Sequence, residues 1–432
     1  MNTNDYHACG TPDHINRRTL LKAAGLAGLS WMTPLSQSLA IEAENAPKGK
    51  PAKSVIMLWM AGGPSQLETF DPQPGKRIAY GGRAIKTSAK GIQIAAGLPQ
   101  TAEVMNDVSL VRSVTSKEGD HERATYNVKT GYRINPTIVH ASIGSIITHE
   151  LPNPDILIPT HVSIIPNQWP SRGGYLGAKY DAFKVGDPIK SVPDVTLNVP
   201  QERDDSRMAS LNVVERAFAR GRIKDLETGR TLHRSTIDRA RTLMNSDQLK
   251  AFDVSSVSES ERALYGDSRF GRGCLAARRL IEEGVRCVEV TLNGWDTHVN
   301  NKEGHVTQNN QLDPAFSALI KDLKQRGLLE STVVICGGEF GRTPKQNPLE
   351  GRDHWPHGFT VAMAGGGIQG GRVIGATDPA GESKEPTDKK RVEDIHATAL
   401  HCLGINPEKE MMTDVGRPMA FSEGKVLQEL LA

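Results

Sequence analysis

Short runs of adjacent apolar residues, each opening into glycine and polar residues, constrain this chain more than any other feature. Ser54-Val55-Ile56-Met57-Leu58-Trp59-Met60 is unbroken in this way, and Thr332-Val333-Val334-Ile335-Cys336 is a second such run. Val108–Ser113 and Val285–Leu292 are largely apolar and β-branched as well. A strand with one wet face alternates in polarity, whereas a strand covered on both faces does not, so these runs read as interior strands of a parallel sheet. Between them lie helical patterns with their usual punctuation. Glu122–Thr130 ends at Gly131, Cys274–Glu283 ends at Gly284, and Asp313-Pro314 is expected to cap and open a helix that stops at Gly327. Strand–helix–strand units with right-handed crossovers send the carboxyl ends of the strands to one edge. Open α/β sheets bind their ligands there.

From about Asn198 to Gly266 the pattern changes to Arg, Glu, Asp and Leu at helical spacing with no strand, which predicts a helical insertion over 198–266 rather than a separate domain. At 432 residues, 38% hydrophobic and 24% charged, the composition is that of an ordinary globular protein with a substantial core. A formal charge of +2, with the basic residues scattered, excludes an electrostatic case for nucleic acid. No apolar run approaches the roughly 18–20 residues of a membrane-spanning helix. The front end is distinct: Asn16-Arg17-Arg18-Thr19-Leu20-Leu21-Lys22 precedes a mildly apolar Ala23–Met32 stretch and then Ser38-Leu39-Ala40. That order predicts a twin-arginine export signal over 1–40, a loose linker over 41–53, an α/β domain over 54–432, and a periplasmic or extracellular location. Cys274, Cys287, Cys336 and Cys402 lack metal spacing and read as buried free thiols. Gly365-Gly366-Gly367-Ile368-Gln369-Gly370 fits a dinucleotide-binding spacing, but the extended Arg372-Val373-Ile374-Gly375 that follows lacks the required helix.

The chemistry-bearing residues cluster just past the strands. The first loop carries Glu68 and Asp71, the second His121 and Arg123, and the third Asp296 and His298. The fourth carries Glu339 and Arg342, then Asp353, His354 and His357. Carboxylates and imidazoles converging from separate segments are what a divalent metal requires, so Glu68, Asp71, Asp296, His298, Glu339, His354 and His357 are the candidate ligands. Oxygen and nitrogen donors without thiolate suit zinc, calcium, magnesium or manganese alike. His121, Arg123 and Arg342 are the candidate catalytic groups, the arginines to steady a phosphate or sulfate. Glu68 and Asp71 fit equally well as cap and turn residues.

Gly62-Gly63-Pro64-Ser65, Gly294-Trp295-Asp296-Thr297-His298, Gly338-Glu339-Phe340-Gly341-Arg342-Thr343-Pro344, Gly351-Arg352-Asp353-His354-Trp355 and the Gly365–Asp378 tract together resemble the twin-arginine-exported family called domain of unknown function 1501. That family is similar to the alkaline-phosphatase-like and sulfatase-like superfamily. The resemblance implies an α/β three-layer sandwich with a mainly parallel central sheet, and an exported metal-dependent hydrolase of phosphate or sulfate esters. Its substrate would be a sulfated or phosphorylated small molecule or polysaccharide. It also implies that Asp296 and His298 match an early metal-binding pair, and that His354 or His357 matches a late metal-binding histidine. The departures are equally specific. Glu339-Phe340-Gly341 stands where the superfamily has Asp-His-Gly, and Gly62-Gly63 stands where it has a metal-binding aspartate. His121 occupies the position of its Cys or Ser nucleophile with no Pro-Ser-Arg following. The alternative is a non-catalytic exported binding or assembly protein on the same fold.

Overall fold

The computed structural model describes residues 50–190, 192–193, 195–219 and 233–432; the expected export signal, most of the linker and residues 220–232 of the insertion lie outside the described residues. The central sheet has nine strands: β1 (Ser54–Ala61), β2 (Val108–Thr115), β3 (His161–Ile164), β4 (Phe183–Val185), β5 (Cys287–Asn293), β6 (Thr332–Gly337), β7 (Phe359–Ala364), β8 (Val373–Ile374) and β9 (Lys390–Arg391). Their order is β8-β2-β7-β6-β1-β5-β3-β4, with β9 also pairing β2. Every neighbouring pair is parallel except those made by β7, which runs against both β6 and β2. The reversal has a simple cause. The chain leaves β6 at the carboxyl edge, makes a long loop there, and re-enters as β7 from that same edge.

The helices are α1 (Pro99–Glu103), α2 (His121–Thr130), α3 (Ile143–Glu150), α4 (Gln201–Ala219), α5 (His233–Met244), α6 (Glu259–Leu264), α7 (Arg269–Glu283), α8 (Asn301–Gln325) and α9 (Val392–Cys402). Residues on β1 show how they layer. Ile56, Leu58 and Met60 join a core with Phe270–Ile281 of α7 and Leu312–Leu323 of α8. Val55, Met57, Trp59 and Ala61 join a second core with Ile143–Ile147 of α3 and Val392–Cys402 of α9. The period-two alternation of a strand thus feeds two cores, and the molecule is a three-layer α/β sandwich. All eight residues of β1 are buried, which is why its sequence is apolar without alternation. Cys274, Cys287, Cys336 and Cys402 are free and buried, as their context suggested.

Three expectations change. The helix expected to open at Asp313-Pro314 opens at Asn301, and Pro314 lies inside it. The first half of α8 is polar, yet Asn301, His305 and Asn309 are buried because they bind other loops. Asn301 Oδ1 accepts from Thr297 Oγ1 at 2.7 Å, His305 Nε2 accepts from Ser65 N–H at 2.8 Å, and Asn309 Nδ2 donates to the Glu68 carbonyl at 3.0 Å. Hydrophobic periodicity cannot see a face buried by hydrogen bonds. Asp313 instead caps α1, accepting from Gln100 N–H at 3.0 Å and Thr101 N–H at 2.7 Å. The segment expected to be a loose linker up to residue 53 is already tied at its end, since Ala52 N–H donates to Cys402 O and Lys53 N–H to Ser331 O, both at 2.8 Å. Finally, the sheet extends beyond the strands that the apolar runs announced, the short β4 among them.

Candidate metal centre

β1, β2, β5 and β6 end at one edge, and the side chains they deliver meet there. β1 turns away through Gly62 and Gly63, at φ +115° and +77°. A Cβ on Gly62 would lie 2.5 Å from Asp296 N, and one on Gly63 would lie 2.5 Å from the Phe340 ring, so glycine lets the other loops close over this end. β2 leads to Asp120, whose side chain accepts from Arg123 N–H and places His121 as the first residue of α2. β5 ends in Gly294 and the fully buried Trp295 before Asp296. β6 ends at Glu339. Beyond it, Gly341–Arg342 pairs antiparallel with His354–Trp355, which folds the long loop back and swings His354 over the cluster.

His298 and His354 face each other with Nε2 atoms 3.0 Å apart. Each ring donates its Nδ1–H elsewhere: His298 to Asp353 Oδ1 at 2.9 Å and His354 to the Gly119 carbonyl at 2.7 Å. Where both rings are neutral, their Nε2 atoms present lone pairs to each other, and Asp296 Oδ1 lies 3.1 Å from one and 3.4 Å from the other. Three such atoms this close repel unless a proton or a metal ion sits among them. Tetrahedral ligands at roughly 2.0–2.1 Å from a metal stand about 3.3 Å apart. Imidazoles fixed through Nδ1 by a carboxylate and a carbonyl are the usual supporting arrangement of metal-binding histidines. The residues present fit a divalent metal.

His121, Asp296 and His354 also bring ligand atoms within 4.8 Å of one another. His121 serves differently, because both its nitrogens are engaged: Nδ1 with Glu339 Oε1 at 2.8 Å and Nε2 near Asp296 Oδ2 at 3.4 Å. Hydrogen bonds to Asp296 and Glu339 outweigh its burial and raise its pKa to about 9, so it is an imidazolium. Glu339 is 1% exposed; its Oε1 also accepts from Gly62 N–H at 2.9 Å, and its Oε2 has no hydrogen-bond partner. Burial works to raise the Asp296 pKa, but His121, His354 and Arg342 together hold it well below the usual carboxylate range. Phe340 is fully buried and floors the group, with ring centroids 4.4 Å from His354 and 5.1 Å from His121.

The other residues expected here stand apart from this group. Glu68 Oε1 accepts from Arg352 Nη2 at 3.0 Å, and that attraction overcomes burial to lower its pKa; it is part of an internal ion pair. Asp71 is 1% exposed and accepts from Thr377 Oγ1 at 2.6 Å with Arg112 at 3.4 Å, so it anchors loops. Arg123 is largely exposed, 3.7 Å from Asp120 and 3.8 Å from Glu118. Arg342 belongs to the group but is consumed by it. Four of its five N–H groups donate to the carbonyls of Gly62, Gly63 and Arg352 and to Asp296 at 2.6 Å, and full burial keeps the guanidinium from a substrate anion. His357 packs on Trp355 with rings 4.9 Å apart, and burial lowers its pKa.

The residues that sequence reasoning passed over line an open cleft of about 220 Å³ beside His121 and Glu339: Asn167, Gln168, Trp169 and Asn293. Their signal was available, since β3 and β5 end at the same edge and Asn167–Trp169 follows β3 directly. Trp169 stacks on His121 at 6.4 Å with an interplanar angle of 14°.

The family described as "Protein of unknown function (DUF1501)" matches residues 52–431. No curated protein matches the sequence. Among solved structures, the PsFucS1 sulfatase from Pseudoalteromonas sp. is 14% identical, with 92% of this chain and 75% of that one covered at a TM-score of 0.41. A protein in the alkaline phosphatase superfamily from Vibrio parahaemolyticus is 13% identical, with 90% and 72% covered at 0.40. Alkaline phosphatase from the Antarctic bacterium TAB5 is 12% identical, with 82% and 99% covered at 0.36. At these scores the chemistry has to be argued from this chain's own residues.

Proposed function

The chain belongs to the family of proteins of unknown function DUF1501, and from that premise we propose that it is an exported, metal-dependent hydrolase of phosphate or sulfate esters. The observation that carries the proposal is the pair of imidazole Nε2 atoms facing each other at 3.0 Å beside Asp296, each ring fixed from behind through Nδ1. Asp296, His298 and His354 would hold the metal. A bound divalent ion would polarise an ester oxygen and lower the pKa of a water. His121 carries a proton at Nε2 that can pass to a leaving oxygen, and Glu339 keeps the ring oriented and charged through Nδ1. A water nucleophile needs no serine or cysteine, which agrees with a cluster that contains neither. The Arg17-Arg18 segment supports export. Among the described residues no helix is long and apolar enough to cross a membrane.

Elemental analysis of the purified mature protein, with zinc, manganese, magnesium and calcium offered in turn, tests the ligand set. His298→Ala and His354→Ala should each lose bound metal, while Asp71→Asn should retain it. Loading that survives in both histidine variants defeats the assignment. Turnover of aryl phosphates and aryl sulfates by the loaded protein then tests the chemistry. A second reading, a binding protein on the same fold, is favoured by one observation: Arg342, the guanidinium of the cluster, is fully buried and held by three backbone carbonyls and Asp296. Metal loading without turnover of either ester class would select it.

A further inference from the structure

The cleft beside the metal centre has a wall that is built with unusual care. The chain leaves β3 through Ile165 at φ +53°, a left-handed conformation that costs a β-branched residue energy and persists only where surrounding structure enforces it. Asn167 Oδ1 then accepts from Trp169 N–H at 3.0 Å, closing a tight turn. The Trp169 carbonyl accepts from Lys129 Nζ at 2.9 Å, and Ser171 Oγ donates to Glu289 Oε2 at 3.0 Å. Lys129 and Glu289, 3% and 1% exposed, pair with each other at 2.9 Å. A buried ion pair thus bolts this segment to α2 and β5, the elements that carry His121 and Asn293.

What the wall presents is uncharged. Beside His121 and Glu339, the cleft is lined by the amides of Asn167, Gln168 and Asn293, the indole of Trp169, and the small Ala61 and Gly62. Among the described residues none of its lining is lysine or arginine; Lys129 is paired with Glu289 and Arg342 with Asp296 and carbonyls, which leaves His121 as the cation of the lining. Three amides, each able to donate and to accept, match hydroxyl groups, which also do both. An indole offers a flat apolar face to the C–H side of a ring. Pre-ordered walls of this kind lower the entropic cost of binding.

We propose that this cleft is a subsite for an uncharged pyranose ring, so that the ester presented to the metal centre is carried on a saccharide. The inference rests on the hydrolase reading for its substrate, but the binding it predicts is measurable without turnover. Tryptophan emission of the mature protein, titrated with neutral hexaoses of glucose, mannose and galactose, and with free nucleosides and inorganic phosphate as competing classes, provides the test. At least one hexaose should bind saturably. Trp169→Ala and Asn293→Ala should each weaken that binding about tenfold or more by calorimetry, and Trp169→Tyr should recover part of the loss. Asn293 is exposed, so its variant is a second probe if Trp169→Ala folds poorly. Metal content should stay unchanged in all three. Absence of any hexaose response, equal affinity in Trp169→Ala and Asn293→Ala, or a response to nucleosides alone overturns the subsite. Hexaose binding that survives in His298→Ala, without ester turnover in any form, upholds the subsite and removes the hydrolase reading. Aryl-ester turnover with no hexaose binding does the reverse.

Discussion

The Lys129–Glu289 pair gives the sharpest quantitative test, because its environment is fully specified. Glu289 receives Lys129 Nζ at 2.9 Å and Ser163 Oγ at 3.0 Å on Oε1, and Ser171 Oγ at 3.0 Å on Oε2. The ammonium also lies 5.1 Å from the centroid of the Trp59 ring. Two other titratable groups adjoin the pair, and both are neutral: burial lowers the pKa of His161 and raises that of Cys287. Burial alone would raise the Glu289 pKa, but Lys129 and the two serines outweigh it and hold it below the ordinary value. Lys129→Met removes the countercharge and strands a buried carboxylate, at a cost of about 3–5 kcal/mol. Lys129→Met combined with Glu289→Gln removes both charges and keeps an amide for the serine hydroxyls, so most of that loss should return, with a coupling of about 2 kcal/mol or more in the double-mutant cycle.

The pH dependence fixes the sign. In the wild type the depressed Glu289 pKa gives stability that is complete above the unfolded value and is lost as pH falls through the folded one. In Lys129→Met burial dominates, and the folded pKa rises above the unfolded value of about 4.3. The native state then binds the extra proton, and stability falls by up to about 1.4 kcal/mol per unit as pH climbs from the unfolded pKa to the folded one. Urea unfolding from about pH 5 to about pH 8 should show a deficit that grows with pH for Lys129→Met and stays flat for the double variant. A deficit of equal size at both ends, or additive single costs, refutes the reasoning.

Asp353→Asn leaves His298 without a carboxylate behind it and should weaken metal affinity about 10–100-fold in a chelator competition. Gly351→Ala would put a Cβ 1.8 Å from the His298 carbonyl, so metal content and thermal stability should fall together, whereas Gly186→Ala, with open space around it, should change neither. Asp313→Ala uncaps α1 and should cost about 0.5–2 kcal/mol in urea unfolding without affecting metal content. Chelated protein should show no calorimetric binding of inorganic phosphate, and zinc or manganese should restore it; undiminished binding after chelation counts against the ligand set.

What could be read from the sequence follows from how each part is buried. β1, β6 and the core of β5 were legible because both faces of each are covered by side chains, and apolar runs record that directly. The meeting of Asp296, His298, Glu339 and His354 was legible from strand ends alone, because parallel topology brings those ends together whatever the intervening sequence. Glu68 and Asp71 occupy an equivalent position yet face inward. Their destinations depend on Arg352 and Arg112, distant partners that leave no local pattern. The first half of α8 was hidden for the same reason. Amides and an indole have no motif, so the cleft wall was marked in the sequence only by its position after β3 and β5, and its packing against α2 came from the structure.

Charge balance ties the site together. Asp296, Glu339 and Asp353 bring three carboxylates and His121 and Arg342 bring two cations, while His298 and His354, in the neutral form in which imidazoles bind metals, would add none. The cluster therefore carries one net negative charge, which opposes an anionic ester. Arg342 and Arg352 cannot correct this, because their donors are spent on carbonyls, Asp296 and Glu68. One divalent cation among Asp296, His298 and His354 changes the net charge to plus one and turns repulsion into attraction. The buried arginines are therefore better understood as the frame that holds Asp296 and the glycine turn in place. On the proposed function, recognition of the anion would fall to the metal and His121, and recognition of the rest of the substrate to the uncharged wall opposite.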